Sequence, residues 1–236
     1  MKISVVIPAW NEASTIAQAV ENASRFADEV VVVDAGSRDE TAERAAAAGA
    51  IVVTSQKGRG HQLHAGAERA SGDTLLFLHA DVTLNGDSRS AIVTALADPT
   101  VVGGNFYLRF EPATIAARVF TIANDLRRRA LRIYYGDSAI FVRAAIYREL
   151  GGFRPLPLFE DYELVRRLER AGKTAYVRSV VATASARRFA HAPLRTLVLW
   201  TVLQMAFSLG VSPHRLARLY ADTRGRTTPR ASATPR

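Results

Sequence analysis

The sequence predicts an α/β fold: a single, mostly parallel sheet with helices on both faces. Two observations predict it. In the first hundred residues, short β-branched apolar runs alternate four times with helical stretches, the pattern of a right-handed, mostly parallel sheet. The polar residues then gather where those runs end, at Pro8 to Glu12, Asp34, Lys57 to Gln62 and His79 to Asp81. In open α/β sheets ligands bind outside the carboxyl ends of the strands, so this edge is the first functional signal.

The elements follow in order. Ile3 to Pro8 reads as a buried strand. Ser14 to Phe26 reads as a helix with Ser14 as N-cap and Ile16, Ala19, Val20 and Ala23 on one face. Val30 to Val33 is a second strand, ending at Asp34, and Arg38 to Ala48 a helix closed by Gly49. Ile51 to Thr54, Gly60 to Ala70 and Thr74 to Leu78 give the third strand, third helix and fourth strand. The second half is less regular. Strands are expected at Val101 to Phe110, Asp137 to Val142 and Ala175 to Ala182. Helices are expected at Pro112 to Arg132, Glu160 to Arg170, Leu194 to Leu209 and Pro213 to Tyr220. Thr223 onward is rich in Thr, Pro, Arg and Ala without apolar periodicity and reads as a disordered basic tail.

Composition narrows the classes. The 236 residues suit one domain, and 48% hydrophobic with 22% charged residues is a globular balance. There is no cysteine, which excludes disulfides and thiolate metal sites; any metal must be held by oxygen or imidazole. The opening MKISVVIPAWNE has one basic residue, breaks its apolar run at Pro8 and offers no small-residue cleavage site. It is not a signal peptide, and the expected location is the cytoplasm. The formal charge is +9, and the last fourteen residues carry four arginines and no acid, leaving +5 when those four are subtracted. Such an excess attracts phosphorylated substrates or an anionic membrane surface. No nucleic-acid recognition motif accompanies it, so nucleic acid is not an expected partner.

Three acidic positions carry candidate chemistry. Asp34, at a strand end before Ala35-Gly36-Ser37, either accepts hydrogen bonds from a base or ribose or caps the next helix. Asp81 follows the apolar run Leu75 to Leu78 and suits a Mg²⁺ or Mn²⁺ ion shared with a diphosphate. His79 beside it is a second ligand, a hydrogen-bond donor or a structural residue. Glu160 and Asp161 follow the loop Pro155-Leu156-Pro157-Leu158. They read as a general base with a neighbour or, more simply, as the acidic first turn of a helix.

The segments VVIPAWNE, VVVVDAGSRDET, GRGHQLHAGAERASGDTLLFLHAD and LGGFRPLPLFEDYELVRRL run from residue 5 to residue 168. In this order they resemble the inverting family 2 glycosyltransferases. The likeness is strongest to a bacterial subgroup whose metal motif reads HAD, some of which are likened to the transferase acting on diaponeurosporenoate, a C30 carotenoid acid. The resemblance implies a GT-A fold over 1–222, with a nucleotide-binding half at about 1–100, an acceptor-binding half at about 101–190 and C-terminal helices at 191–222. It implies that Pro8, Ala9, Asn11, Glu12, Asp34, Arg59, Gln62 and Ala80 bind the nucleotide-sugar donor, and that Asp81, with His79, holds Mn²⁺ or Mg²⁺. It implies that Asp161 is the catalytic base supported by Glu160. Gly136, Asp137, Arg187 and Arg188 would stand on the side of an acceptor not identified. His79 departs from the family's aspartate and removes one negative charge beside the metal.

Other classes fit less well. A Rossmann oxidoreductase needs a glycine-rich turn after its first strand, and Pro8-Ala9-Trp10-Asn11-Glu12 has no glycine. A sugar-nucleotide nucleotidyltransferase usually carries a glycine- and arginine-rich first loop. A nucleotide-sugar-binding protein without transferase activity stays open. Leu194 to Leu209 is short for a transmembrane helix. It is expected to pack in the core or a homodimer, or to lie on the inner face of the membrane, flanked by Arg187, Arg188, Arg195, His214, Arg215 and Arg218.

Overall fold

The computed structural model describes residues 1–186 and 192–225. The strands are β1 (Ile3–Ala9), β2 (Glu29–Asp34), β3 (Ile51–Thr54), β4 (Thr74–Phe77), β5 (Val82–Asn85), β6 (Val101–Glu111), β7 (Ile140–Arg143) and β8 (Lys173–Ser185). The helices are α1 (Ile16–Ser24), α2 (Thr41–Ala47), α3 (Arg59–Arg69), α4 (Ser88–Ala95), α5 (Ile115–Leu131), α6 (Ala144–Glu149), α7 (Glu160–Ala171), α8 (Pro193–Ser208) and α9 (Pro213–Gly225). All eight strands form one sheet in the order β3-β2-β1-β4-β7-β6-β8-β5.

The expected parallel sheet holds for β1 to β4. Beyond β4 the sheet is mixed: β7 is antiparallel to β4 and β6, β8 is parallel to β6, and β5 is antiparallel to β8. β1 is buried on both faces, as a central strand covered by helices must be, and its side chains alternate between two cores. Ile3, Val5 and Ile7 join Val30, Val32, Leu76 and the apolar side of α1. Val6 joins Val31, Val33, Leu75, Phe77 and the buried residues of α3 and α7.

The β4–β7 pairing positions the site. Phe77 pairs with Ile140 in an antiparallel register, so the residues after β4 and those before β7 come out at the same edge. That edge is also where β1 and β2 end, Ala9 opposite Asp34. The segment His79–Asp81 therefore faces the turn at Gly136–Ser138.

Several expectations are corrected. Ser14 does not cap α1; Thr15 takes the N-cap position, and its hydroxyl bonds the Glu12 carboxylate at 2.8 Å instead of a helix N–H. Asp137 is not in a strand: Gly136–Ser138 is one turn of 3-10 helix, and β7 begins at Ile140. β5, α4 and α6, four, eight and six residues long, were not expected. α4 did carry a local signal, since Asp87 caps it by accepting from the Ser90 N–H at 3.0 Å. α9 continues to Gly225, past the expected start of the tail at Thr223; residues 226–236 lie outside the described residues.

Candidate active site

At the end of β1 the chain turns through Asn11, whose φ is 55°, in the left-handed region that asparagine tolerates better than most residues. This turn is laced to the loop after β2. Asn11 N–H donates to Ser37 Oγ at 2.8 Å, Arg38 N–H donates to Asn11 Oδ1 at 2.9 Å, and Glu12 N–H donates to Thr41 Oγ1 at 2.8 Å. Asp34 is buried beneath it. Its Oδ2 accepts the N–H groups of Gly36 (3.0 Å) and Ser37 (2.9 Å), and its Oδ1 accepts the Ser37 hydroxyl. An ionised carboxylate accepts about four hydrogen bonds, and three are met within this turn. Asp34 does not cap α2, whose N-cap position is Glu40; it shapes the turn.

Gln62 has a structural task. It is buried, and its amide donates to Ala9 O at 2.8 Å and Val33 O at 2.9 Å. Both amide hydrogens are used in tying α3 to the ends of β1 and β2, so none is presented to a donor substrate.

The second half of the site gathers four segments. Phe159, with φ 63°, turns the chain so that Glu160 and Asp161 open α7. The loop before it lies directly on α3, because Gly60 has no side chain: a Cβ there would strike the Arg154 carbonyl. Glu160, 2% exposed, pairs with Arg59 Nε at 2.7 Å. Burial pushes the Glu160 carboxyl above the ordinary carboxylate range, with Arg59 opposing and Asp161 adding to the rise. Burial opposes the charge on Arg59, but Glu160, Asp161 and Asp137 outweigh it and raise its pKa further. Asp161, 8% exposed, accepts the Gly136 N–H on Oδ2 at 2.7 Å and the Tyr162 N–H on Oδ1 at 2.7 Å.

His79 faces inward and Asp81 outward. The His79 carbonyl accepts the Val82 N–H at 3.1 Å, closing a tight turn that leaves Asp81 exposed. His79 Nδ1 lies 3.0 Å from Asp137 Oδ1. A Cβ at Gly136 would stand 2.7 Å from His79 Nε2 and 3.3 Å from Asp161 Oδ2, so only glycine lets these two groups approach the turn. Arg59, His79, Gly136, Asp137, Glu160 and Asp161 thus form one cluster, while Asp34 and Asn11 stand at the neighbouring strand ends. Ala80 lies in the turn between His79 and Asp81. Arg187 and Arg188 lie outside the described residues.

Sequence reasoning missed Trp10 and Lys57 as individual site candidates. Trp10 is 45% exposed on the turn after β1, and Lys57 Nζ sits 3.1 Å from its ring centroid. A large aromatic within the polar strand-end segment Pro8 to Glu12 was the available signal.

The Glycosyl transferase family 2 profile matches residues 4–149, which holds β1 to β4, the His79–Asp81 turn and Gly136–Asp137. The chain belongs to glycosyl transferase family 2. Glucosyl-3-phosphoglycerate synthase of Mycobacterium tuberculosis is 37% identical over 93 residues, 34% of this chain and 29% of that protein. The match thus spans under a third of that relative's length. The O-antigen chain rhamnosyltransferase RfbN of Salmonella typhimurium is 25% identical over 205 residues, 77% of this chain and 65% of that protein. The M. tuberculosis synthase in complex with Mn²⁺, UDP and phosphoglyceric acid superposes with a TM-score of 0.59 at 22% identity, covering 89% of this chain and 79% of that one. At that identity the likeness establishes a shared fold, and the GT-A architecture is that of this family 2 chain.

A divalent cation fits the residues present. Mg²⁺ and Mn²⁺ bind through one or two protein oxygens, with phosphate and water completing the shell. Among the described residues no group of three or more His, Asp or Glu side chains could hold a metal ion alone. Asp81 supplies an exposed carboxylate. The Asp137 carboxylate orients the His79 imidazole through Nδ1, as carboxylates orient metal-ligating histidines, while Nε2 faces Gly136.

Proposed function

We propose that this chain transfers a sugar from a nucleotide-sugar donor, a UDP-sugar, to a hydroxyl or carboxyl group of an acceptor in one inverting displacement. The observation that carries the reading is the convergence of Arg59–Glu160, Asp161–Gly136 and His79–Asp137 at one sheet edge in a family 2 chain. The turn at Pro8, Ala9, Asn11 and Glu12, with Asp34, receives the nucleoside, and Trp10 offers its ring to the base. Asp81, with His79 behind it, would hold Mn²⁺ or Mg²⁺, which would neutralise charge on the leaving diphosphate. Arg59 adds a fixed positive charge at the same edge.

Asp161 is the general base. Two N–H donors hold its carboxylate in one orientation, and it removes the acceptor proton as the acceptor oxygen attacks C1 of the sugar. Glu160 fixes Arg59 and the start of α7. Tyr135, Tyr162 and Phe207 lie together beside Asp161, with ring centroids 5.8 Å apart in each successive pair. Their rings suit an acceptor with an apolar part, which supports the lipid or carotenoid-like class.

A thermal-shift screen of nucleoside diphosphates with Mn²⁺ tests the donor, since a ligand of the native state raises the melting temperature by mass action. UDP is expected to stabilise the protein. A shift with GDP and none with UDP would reassign the nucleotide. Release of sugar from the stabilising donor, tested with and without Mn²⁺, separates a transferase from a binding protein that turns nothing over.

A further inference from the structure

α5 is apolar on two opposite sides. One side is buried on the sheet through Ala117, Phe120 and Thr121. On the other, Ile115, Val119, Ile122 and Leu126 recur at helical spacing and are all exposed, Ile115 by 84%. α8 repeats the pattern: Leu203 is buried, while Leu194, Val198, Val202 and Met205 are exposed along the other side. The two helices meet where Phe120 stands edge-on to Trp200, centroids 5.8 Å apart. The far end of α8 reaches the acceptor side of the site, with Phe207 5.1 Å from Phe159. Scattered exposed apolar residues are ordinary; two touching helices that each turn a continuous stripe away from the body are not.

Arginines dominate the charge around these stripes, and the acids beside α5, Glu111 and Asp125, are each paired with arginine. Arg118, Arg129 and Arg132 are exposed on or just beyond α5, and Arg195, Arg215 and Arg218 on α8 and α9. Residues 192–221 contain no acid at all. Apolar side chains rimmed by arginines match the interfacial zone of an anionic bilayer, where the stripe enters the acyl boundary and the guanidinium groups reach the headgroups. A second copy would bring arginines against arginines. Residues 226–236 hold no large apolar side chain that would cover the stripes.

We propose that the α5–α8 face docks this protein on the surface of an anionic membrane, with the acceptor side of the site turned toward the lipid. Among the described residues no helix is long and apolar enough to cross a membrane; the contact runs along the surface. Docking does not depend on the glycosyl-transfer reading, because a catalytically silent chain with this face binds equally well.

The test is cosedimentation of the full chain with phosphatidylcholine vesicles, with and without phosphatidylglycerol. Binding is expected to the mixed vesicles, to weaken as salt screens the arginines, and to be far weaker with phosphatidylcholine alone. Ile122→Asp combined with Val202→Asp should lower the apparent affinity at least about tenfold by removing buried apolar area. Both positions are exposed, so the melting temperature should stay unchanged; the milder pair Ile122→Ser and Val202→Ser serves if it does not. Failure of the wild-type chain to sediment with the mixed vesicles overturns the proposal, as does undiminished binding of the folded double variant. A dimer in sedimentation equilibrium that the same variants dissociate also overturns it, since the face is then an interface between copies.

Discussion

Asp161 and Glu160 are neighbours in sequence with different surroundings. Asp161 is held by two backbone N–H groups, whereas Glu160 faces a guanidinium. Asp161→Asn keeps the shape but cannot take up a proton at neutral pH. It should lower kcat by about 10²–10⁴-fold, the usual worth of positioned proton transfer, with UDP affinity by calorimetry nearly unchanged. Glu160→Gln should act differently, weakening the hold on Arg59 and so raising the KM for the donor as well. If Asp161→Asn turns over normally and Glu160→Gln is dead, the two roles are exchanged. Chelation tests Asp81 at the same scale: activity should vanish with excess chelator and return with Mn²⁺, and Asp81→Ala should resist that rescue. Full activity in chelator would remove the metal from the reaction. The sequence pointed to Asp34, Asp81 and Asp161 because each stands at an element boundary. It singled out Gln62 for the donor but not for its two hydrogen bonds to carbonyls on β1 and β2, because such partners depend on how α3 lies on the sheet.

α3 is the element that joins the two halves of the site. Its first residue, Arg59, reaches Glu160, and its Gln62 holds the ends of β1 and β2. It approaches the sheet closely because Gly66 presents no side chain: a Cβ there would overlap methyl groups of Val6 and Val33. Gly66→Ala trades a gain in helix propensity for overpacking, which costs about 1–3 kcal/mol. The net effect expected in urea unfolding is a lower midpoint, accompanied by weaker donor binding as Arg59 moves. A raised midpoint would mean that the helix shifts outward without penalty. The other elements divide by their local pattern. β1 to β4 were legible as apolar, mostly β-branched runs, and α1, α3 and α7 by helical apolar periodicity. β5 is as long as β3 and β4, but its VTLN carries Thr83 and Asn85, and α6 is under two turns long.

Acid sensitivity belongs to the whole molecule. Asp28 accepts hydrogen bonds from Arg89 and the Ile3 N–H, which hold its carboxyl below its ordinary 3.8. Glu29 is partly buried, which opposes its charge, but bonds from Ser4 and Ser71 outweigh burial and hold it below 4.5. Both groups bind protons more readily in the unfolded chain. Their contribution is therefore complete above the ordinary carboxylate range and is lost as pH falls through the lower folded values. Glu160 has the opposite sign: its raised pKa favours the fold at low pH and costs stability as pH rises through the folded value. Urea unfolding should show stability declining below about pH 4, and Asp28→Asn should flatten that decline. An unchanged slope in the variant would show that the N-terminal anchoring is not what acid removes.

By itself the sequence determined the α/β class, the first four strands and the edge at which they end, since strand and helix periods and strand-end polar residues are local patterns. Its ordered motifs also pointed to the family. Only the tertiary structure decided which side chains meet. His79 and Asp137 lie 58 positions apart, and Gly136 and Asp161 lie 25 apart. The first pair converges because β7 runs antiparallel to β4, so that the approach to one strand faces the exit from the other, and the second because the loop before α7 lies on α3. The pairing direction of distant strands is set by how the two cores pack, and no local period records it.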